Sequence, residues 1–299
     1  MMDDGIAGMD KNKGIPIDEL RDRARRIRLL ATDLDGTLFD RSHSLPDENR
    51  EALAALAEKG VILVAATGRS RTSIPEMLTS LPGIKYLITA NGARIYDNTT
   101  GDLIYEKYLS VNALEYVHPL LQDKEVMCEA FWDGAPHVEE SRYSDARDYG
   151  IPRWFSDYFF STRIPLAGFE AAVHENRHII ENINFVFGRE DVQERLRLFL
   201  EKRVDLYELT SSFPFNYEIG GVGVSKAAAV AFIVEREGVT ADETICFGDN
   251  DNDVSMVEYA GIGVAVANAV PRALAAAGFV TGSSEEAGVA SALKTLGLI

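Results

Sequence analysis

The sequence predicts an α/β fold, a doubly wound parallel sheet interrupted by an inserted α+β unit, and three observations carry that prediction. Short apolar runs without polar alternation recur at 27–32, 61–66, 86–89 and 244–247, as strands buried on both faces require. Segments of helical length and periodicity separate them. Between about 110 and 217 that alternation stops and aromatics accumulate (Phe131, Trp132, Trp154, Phe155, Tyr158, Phe159, Phe160), and it resumes after Gly221.

In chain order, residues 1–17 read as a disordered leader and 18–26 as a short charged helix. Its arginines (Arg21, Arg23, Arg25, Arg26, with Arg28 beyond) alternate with acids, so they form a solvated face rather than a polyanion site. Strand 27–32 follows. A helix over 47–59 sets Leu53, Leu56 and Ala57 on one face and stops at Gly60. Strand 61–66 breaks at Thr67-Gly68-Arg69, a helix continues to about 80, and 86–89 is the third strand. The inserted stretch holds helices at 112–124 and 190–203, with amphipathic strands that suit an antiparallel sheet. Then come helix 225–237 ended by Gly238, strand 244–247, helix 252–259, strand 261–267, helix 270–277, strand 279–281 and a C-terminal helix. The expected division is an N-terminal extension (1–26), a core made of 27–108 and 218–299, and an inserted cap at 109–217.

Composition narrows the function. A chain of 299 residues suits two domains, and 46% apolar residues suffice for full cores. With 47 Asp and Glu against 30 Lys and Arg, the formal charge of −17 repels phosphate backbones and anionic lipid, which disfavours nucleic-acid and membrane roles. An anionic small molecule remains admissible, because a bound cation reverses the sign locally. No run of about 20 apolar residues could span a bilayer, and the first residues lack the apolar segment of a signal peptide. The two cysteines, Cys128 and Cys246, read as reduced core thiols, so the expected location is the cytoplasm. Oligomeric state is not legible.

The informative residues fall where parallel strands end, and ligands of such sheets bind outside those carboxyl ends. Asp33-Leu34-Asp35-Gly36-Thr37 follows the first strand, Thr67-Gly68-Arg69 the second, and Gly248-Asp249-Asn250-Asp251-Asn252-Asp253 the later one, with Lys226 at a helix start between them. Asp33 and Asp35, two apart in extended backbone, share a face. Together with Asp249 and Asp253 they crowd carboxylates that would raise one another's pKa values unless a cation joined them. A hard divalent ion relieves that, and few protein ligands with positions left for water and phosphate suit Mg²⁺. Competing motifs fail in detail. Asp249-x-Asp251-x-Asp253 begins like an EF-hand loop, but its sixth position is Val254 and its twelfth Ala260. His174 and His178 have the spacing of zinc ligands without a third in register. Gly221 to Lys226 lacks the Gly-Lys-Ser/Thr ending of a phosphate loop.

In this order, Asp33-Leu34-Asp35-Gly36-Thr37-Leu38, Thr67-Gly68-Arg69, Lys226 and Gly248 through Asp253 resemble the four motifs of the haloacid dehalogenase-like superfamily. Asn91-Gly92-Ala93, Val224-Ser225-Lys226, Asn268-Ala269 and the tail from Phe279 to Leu293 are similar to its Cof-type sugar phosphatases, whose cap lies between the second and third motifs. The resemblance covers about 28–108 and 218–299 and is weak within the cap. It implies a Rossmann-like core and an aspartyl-phosphate mechanism with Mg²⁺. Asp33 would be the nucleophile and Asp35 the general acid, then base. Thr67, the amides of Gly68 and Leu34, and Asn252 would hold phosphate oxygens, while Lys226 neutralises charge on Asp33 and the transferring group. The ion would lie on Asp33, the Asp35 carbonyl and Asp249, with Asp253 ordering a bound water. Arg69 is open between substrate phosphate and a structural ion pair. The expected function is hydrolysis of a small phosphorylated metabolite, a sugar phosphate, beneath a cap that acts as a lid and reads the leaving group. A phosphomutase of the same superfamily and a non-catalytic phosphosugar-binding protein are the alternatives.

Overall fold

The computed structural model describes residues 15–299, so the leader expected over 1–17 lies outside the described residues except for its last three. Five strands come first: β1 (Leu29–Thr32), β2 (Ile62–Ala66), β3 (Ile84–Thr89), β4 (Arg94–Asp97) and β5 (Leu103–Glu106). The insertion adds β6 (Met127–Trp132), β7 (Ala135–Glu139), β8 (Ile164–Leu166), β9 (Asn182–Val186), β10 (Glu208–Thr210) and β11 (Asn216–Gly220). The chain then returns through β12 (Thr244–Gly248), β13 (Ile262–Ala265) and β14 (Phe279–Val280).

These strands form two sheets. The larger has the order β14-β13-β12-β1-β2-β3-β4-β5, parallel from β14 to β3 and antiparallel at β4 and β5. Its central strand β1 is buried at every position, because helices cover both faces. Leu30 packs with Leu53 and Leu56 of the helix Asp47–Glu58 and Leu293 of the helix Gly288–Thr295. Leu29 and Ala31 face the other way, toward Ala229, Val230 and Ile233 of the helix Lys226–Arg236. The N-terminal helix Ile17–Ala24 is not a free appendage: Leu20 and Ala24 join the first of these cores, and Arg21 Nε donates to the Thr295 carbonyl at 3.0 Å.

Several elements depart from the expectation. The antiparallel strands β4 and β5, of which β5 is the sheet edge, are short, each contains charged residues, and neither was expected. The helix expected to reach 80 is instead a tight turn at Arg71–Ser73 and a short helix Glu76–Thr79, because Pro75 supplies no N–H and ends the ladder. Helix 252–259 starts late, at Val254, after a tight turn over Asp251–Asp253.

The smaller sheet has the order β10-β11-β9-β6-β7-β8 and is antiparallel except for the parallel pair β7 and β8. Its central strands β6 and β9 are buried throughout rather than amphipathic. The helices Val111–Leu121 and Glu190–Leu200 cover one face, while Phe131 and Asn184 on the other look onto the strand ends of the larger sheet. Strand β11 runs to Gly220, past the boundary expected at 217. A Cβ on Gly221 would lie 2.5 Å from the Tyr108 carbonyl oxygen, so the two connections to the insertion run side by side. Cys128 and Cys246 are both buried and unpaired. Among the described residues no helix is long and apolar enough to cross a membrane.

Candidate active site

The turn after β1 is built to let a second loop approach. Gly36 has φ +83°, and a Cβ there would sit 2.7 Å from Asp249 Oδ2. Thr37 Oγ1 donates to Asp249 Oδ1 at 2.7 Å, which ties the turn to the loop after β12. Asp33, Asp249 and Asp253 thereby place carboxylate oxygens within 4.8 Å of one another. Lys226, fully buried at the start of its helix, donates to Asp33 Oδ1 and Asp253 Oδ1, both at 2.6 Å. The other oxygen of Asp253 accepts the amides of Asp249 and Asn250, each at 3.0 Å.

Electrostatics separate the roles. Burial pushes the Asp33 carboxyl up to about 7, against the opposing charge of Lys226. Asp249 is driven well above the ordinary carboxylate range, by burial first and then by the charge of Asp33. An all-carboxylate set short of positive charge fits a hard, oxygen-preferring divalent cation. Asp33 and Asp249 are the members with capacity to spare. Asp253 is saturated by Lys226 and two amides, which suits an outer role.

Asp35 lies in the opposite environment. Burial would raise its pKa, but the Arg69 guanidinium and His43 override that and hold it well below the usual range. Arg69 grips it with Nε to Oδ2 at 2.7 Å and Nη2 to Oδ1 at 2.5 Å, and His43 Nδ1 lies 2.8 Å from Oδ1. The ion pair is thus one of the two roles left open for Arg69. Its guanidinium also lies 4.3 Å from the ring centre of Tyr158, an insertion residue that stacks on His43 at 5.4 Å.

One crevice between the sheets gathers Asp33, Asp35, Thr67, Gly68, Arg69, Asp249 and Asn252 from the larger unit. Leu34 turns its side chain into the core, so only its backbone could face a ligand, while Lys226 and Asp253 stand behind the wall, fully buried. The insertion contributes Phe131, Phe155, Tyr158, Phe213, Asn184, Arg163 and Glu218. Arg163 Nε donates to the buried Glu129 at 2.7 Å, and Asn184 Nδ2 donates to the same carboxylate at 2.6 Å. Trp132 stacks on His137 at 3.6 Å inside the insertion, and the side chain of Trp154 lies outside the described residues.

Sequence reasoning gave no role to His43, Asn91, Glu129, Arg163 or Glu218. For Glu218 a signal existed: a carboxylate flanked by Tyr217 and Ile219 demands a partner if buried. Nothing in the loop around His43 marks it.

The sequence matches the family of haloacid dehalogenase-like hydrolases over residues 30–293. The 5-amino-6-(5-phospho-D-ribitylamino)uracil phosphatase YcsE of Bacillus subtilis (strain 168) is 31% identical over 269 residues, covering 90% of this chain and 95% of that protein. The HMP-PP phosphatase of Klebsiella pneumoniae (strain 342) is 28% identical over 246 residues, with 82% and 86% covered. Among solved structures, a haloacid dehalogenase-like hydrolase from B. subtilis aligns with a TM-score of 0.78 at 26% identity, covering 90% of this chain and 99% of the other. A sugar phosphatase of haloacid dehalogenase subclass IIB aligns with a TM-score of 0.78 at 27% identity, covering 91% and 100%. With the match running through both parts of the larger sheet and the insertion between them, this chain belongs to the haloacid dehalogenase-like hydrolases, in the Cof-type group, and is a phosphatase.

Proposed function

We propose that this phosphatase is a Mg²⁺-dependent phosphomonoesterase that moves the phosphoryl group of a small cytoplasmic sugar phosphate first to Asp33 and then to water. The observation that carries the reading is the position of Asp33: it borders the crevice while Lys226 holds one of its oxygens from behind. The other oxygen is the one left to attack phosphorus. An O–P bond forms to Asp33 as the ester O–P bond breaks, and the departing oxygen takes a proton from Asp35. Asp35 then receives a proton from the water that hydrolyses the aspartyl phosphate. Gripped by Arg69, it is the carboxylate that this second step needs. The first step requires Arg69 to be drawn off, and Tyr158 of the insertion lies against that guanidinium.

Thr67, the amides of Gly68 and Leu34, and Asn252 would hold phosphate oxygens. Asp33, the Asp35 carbonyl and Asp249 would hold Mg²⁺, with Asp253 outside them, and the ion would supply positive charge to the phosphate oxygens. In the insertion, rings of Phe131, Phe155 and Phe213 alternate with Asn184 and Ser212, a lining that suits a compact polyhydroxylated leaving group with one apolar face. The insertion would then act as the lid that selects the substrate. Two buried unpaired thiols in separate sheets support the cytoplasm as the compartment.

Phosphate release from a panel of phosphorylated metabolites tests this. EDTA should abolish it and excess Mg²⁺ restore it, with sugar phosphates among the best substrates. Activity in metal-free buffer would overturn the metal assignment. Turnover of aryl phosphates alone would overturn the sugar.

A further inference from the structure

The turn after β3 holds positive φ at three successive residues, of which Ala90 is the strained one. Ala90, Asn91 and Gly92 have φ of 47°, 56° and 106°, a region that only glycine enters freely. The surroundings hold it there. The Ala90 amide donates to the Arg69 carbonyl at 2.9 Å and the Asn91 amide to the Thr67 carbonyl at 3.1 Å. A Cβ on Gly92 would lie 2.4 Å from the Ser225 carbonyl oxygen, next to Lys226. The Asn91 side chain rests on the phosphate-binding turn itself, since a Cβ on Gly68 would meet its Oδ1 at 3.0 Å.

What this turn presents is one oriented amide. Asn91 Nδ2 donates to Glu218 Oε2 at 2.6 Å, and Asn91 Oδ1 accepts from Asn252 Nδ2 at 3.0 Å. A carboxylate can only accept, so Glu218 fixes which end of the Asn91 amide faces the insertion. The opposite end is then an acceptor, and it holds the Asn252 side chain by one N–H, with the second left to donate. Glu218 is in turn held within the insertion: its Oε1 accepts Asn216 Nδ2 at 2.9 Å and the Ser212 hydroxyl. Asn91 and Glu218 are 6% and 5% exposed, so no bulk water substitutes for either partner.

We propose that Glu218, delivered by the inserted sheet, is a positioning residue for the phosphate site, acting through Asn91 on Asn252. It rests on the phosphatase reading above. Its consequence is that seating the insertion sets a phosphate ligand as well as enclosing the leaving group. Without Glu218 the Asn91 amide is free to reverse, and its NH₂ would then oppose that of Asn252.

The test combines turnover with equilibrium binding of inorganic phosphate in the presence of Mg²⁺. Glu218→Ala should lower kcat/KM about tenfold on sugar and aryl phosphates alike and weaken phosphate binding by a similar factor. Glu218→Gln, which keeps an acceptor for Asn91, should stay within about threefold of wild type. Asn91→Gly tolerates the positive φ and should reproduce Glu218→Ala, so the idea remains testable if the latter does not fold. In an Asn252→Ala background, Glu218→Ala should cost almost nothing further. Thr72→Val removes a different contact with the insertion, Thr72 Oγ1 to the Gly134 carbonyl at 3.1 Å, and should leave phosphate binding unchanged. Three results would each overturn the proposal: a loss confined to one leaving group, full additivity with Asn252→Ala, or unaltered phosphate affinity in Glu218→Ala. Absent turnover in the wild type would defeat the phosphatase reading instead, and phosphate binding would still decide this one.

Discussion

Asp33 and Asp35 stand two positions apart, and the protein surrounds them with opposite fields. Burial pushes Asp33 up to about 7 against Lys226, whereas Arg69 and His43 hold Asp35 far down. Their substitutions should therefore fail differently. On the proposed mechanism Asp33→Asn removes the attacking oxygen, so turnover should fall by several orders of magnitude, and no covalent phosphate should form. On the same mechanism Asp35→Asn keeps the nucleophile but could neither protonate a sugar leaving group nor activate water. An aryl phosphate, whose leaving group needs no proton, should still phosphorylate Asp33, and mass spectrometry should find a hydroxylamine-labile adduct there. An adduct elsewhere, or near-normal turnover in Asp33→Asn, would contradict the assignment. At this scale the sequence pointed to the aspartates because residues two apart in extended backbone would share a face, although in the structure they lie in a turn. It could not disclose His43 or the link from Asn91 to Glu218, which lies 127 positions away along the chain.

Among elements, the turn after β1 carries the sharpest constraint. Gly36→Ala would add a methyl group 2.7 Å from Asp249 Oδ2 at a φ of +83°. Asp249 must then shift, and on the proposed metal site the Mg²⁺ concentration for half-maximal rate should rise about tenfold, with about 1–2 kcal/mol of stability lost to the backbone. Metal titration of the rate and thermal melting would measure the two effects separately. An unchanged metal requirement in a folded Gly36→Ala protein would argue against Asp249 as a ligand. Strands β1, β2, β3 and β12 were legible because a strand covered on both faces must be continuously apolar. Strand β5 was not, since an edge strand half open to water needs no such run, and β4, though paired on both sides, is short and begins and ends in the charged residues Arg94 and Asp97. Pro75, by contrast, marks the broken helix in the sequence itself.

Over the whole molecule, the two sheets are joined by an ion pair: Arg94 of β4 lies 3.2 Å from Glu181, which is fully buried in the insertion. Burial raises the Glu181 pKa, against the Gly134 amide and Arg94. A carboxyl raised on folding contributes stability at low pH that is lost as pH climbs through its folded pKa. Arg94→Met would raise it further and strand the charge, at a cost of about 3 kcal/mol near neutrality. Melting curves should show that deficit shrinking as pH falls toward about 4, the ordinary carboxylate range. A deficit independent of pH would mean that Glu181 is not the stranded charge. The change in sequence character near 110 and 217 pointed to an inserted unit, but the pairing of its strands was not legible, because short strands encode their neighbours only through packing. The connectivity also imposes an order in time. Leu29 of β1 pairs with Ile62 on one side and with Thr244 on the other, so Asp33 hangs from a strand whose second neighbour is translated far later. Every strand of the smaller sheet, by contrast, has left the ribosome by Gly220. The covering unit thus has all its pairing partners in hand before the phosphate crevice beneath it can exist.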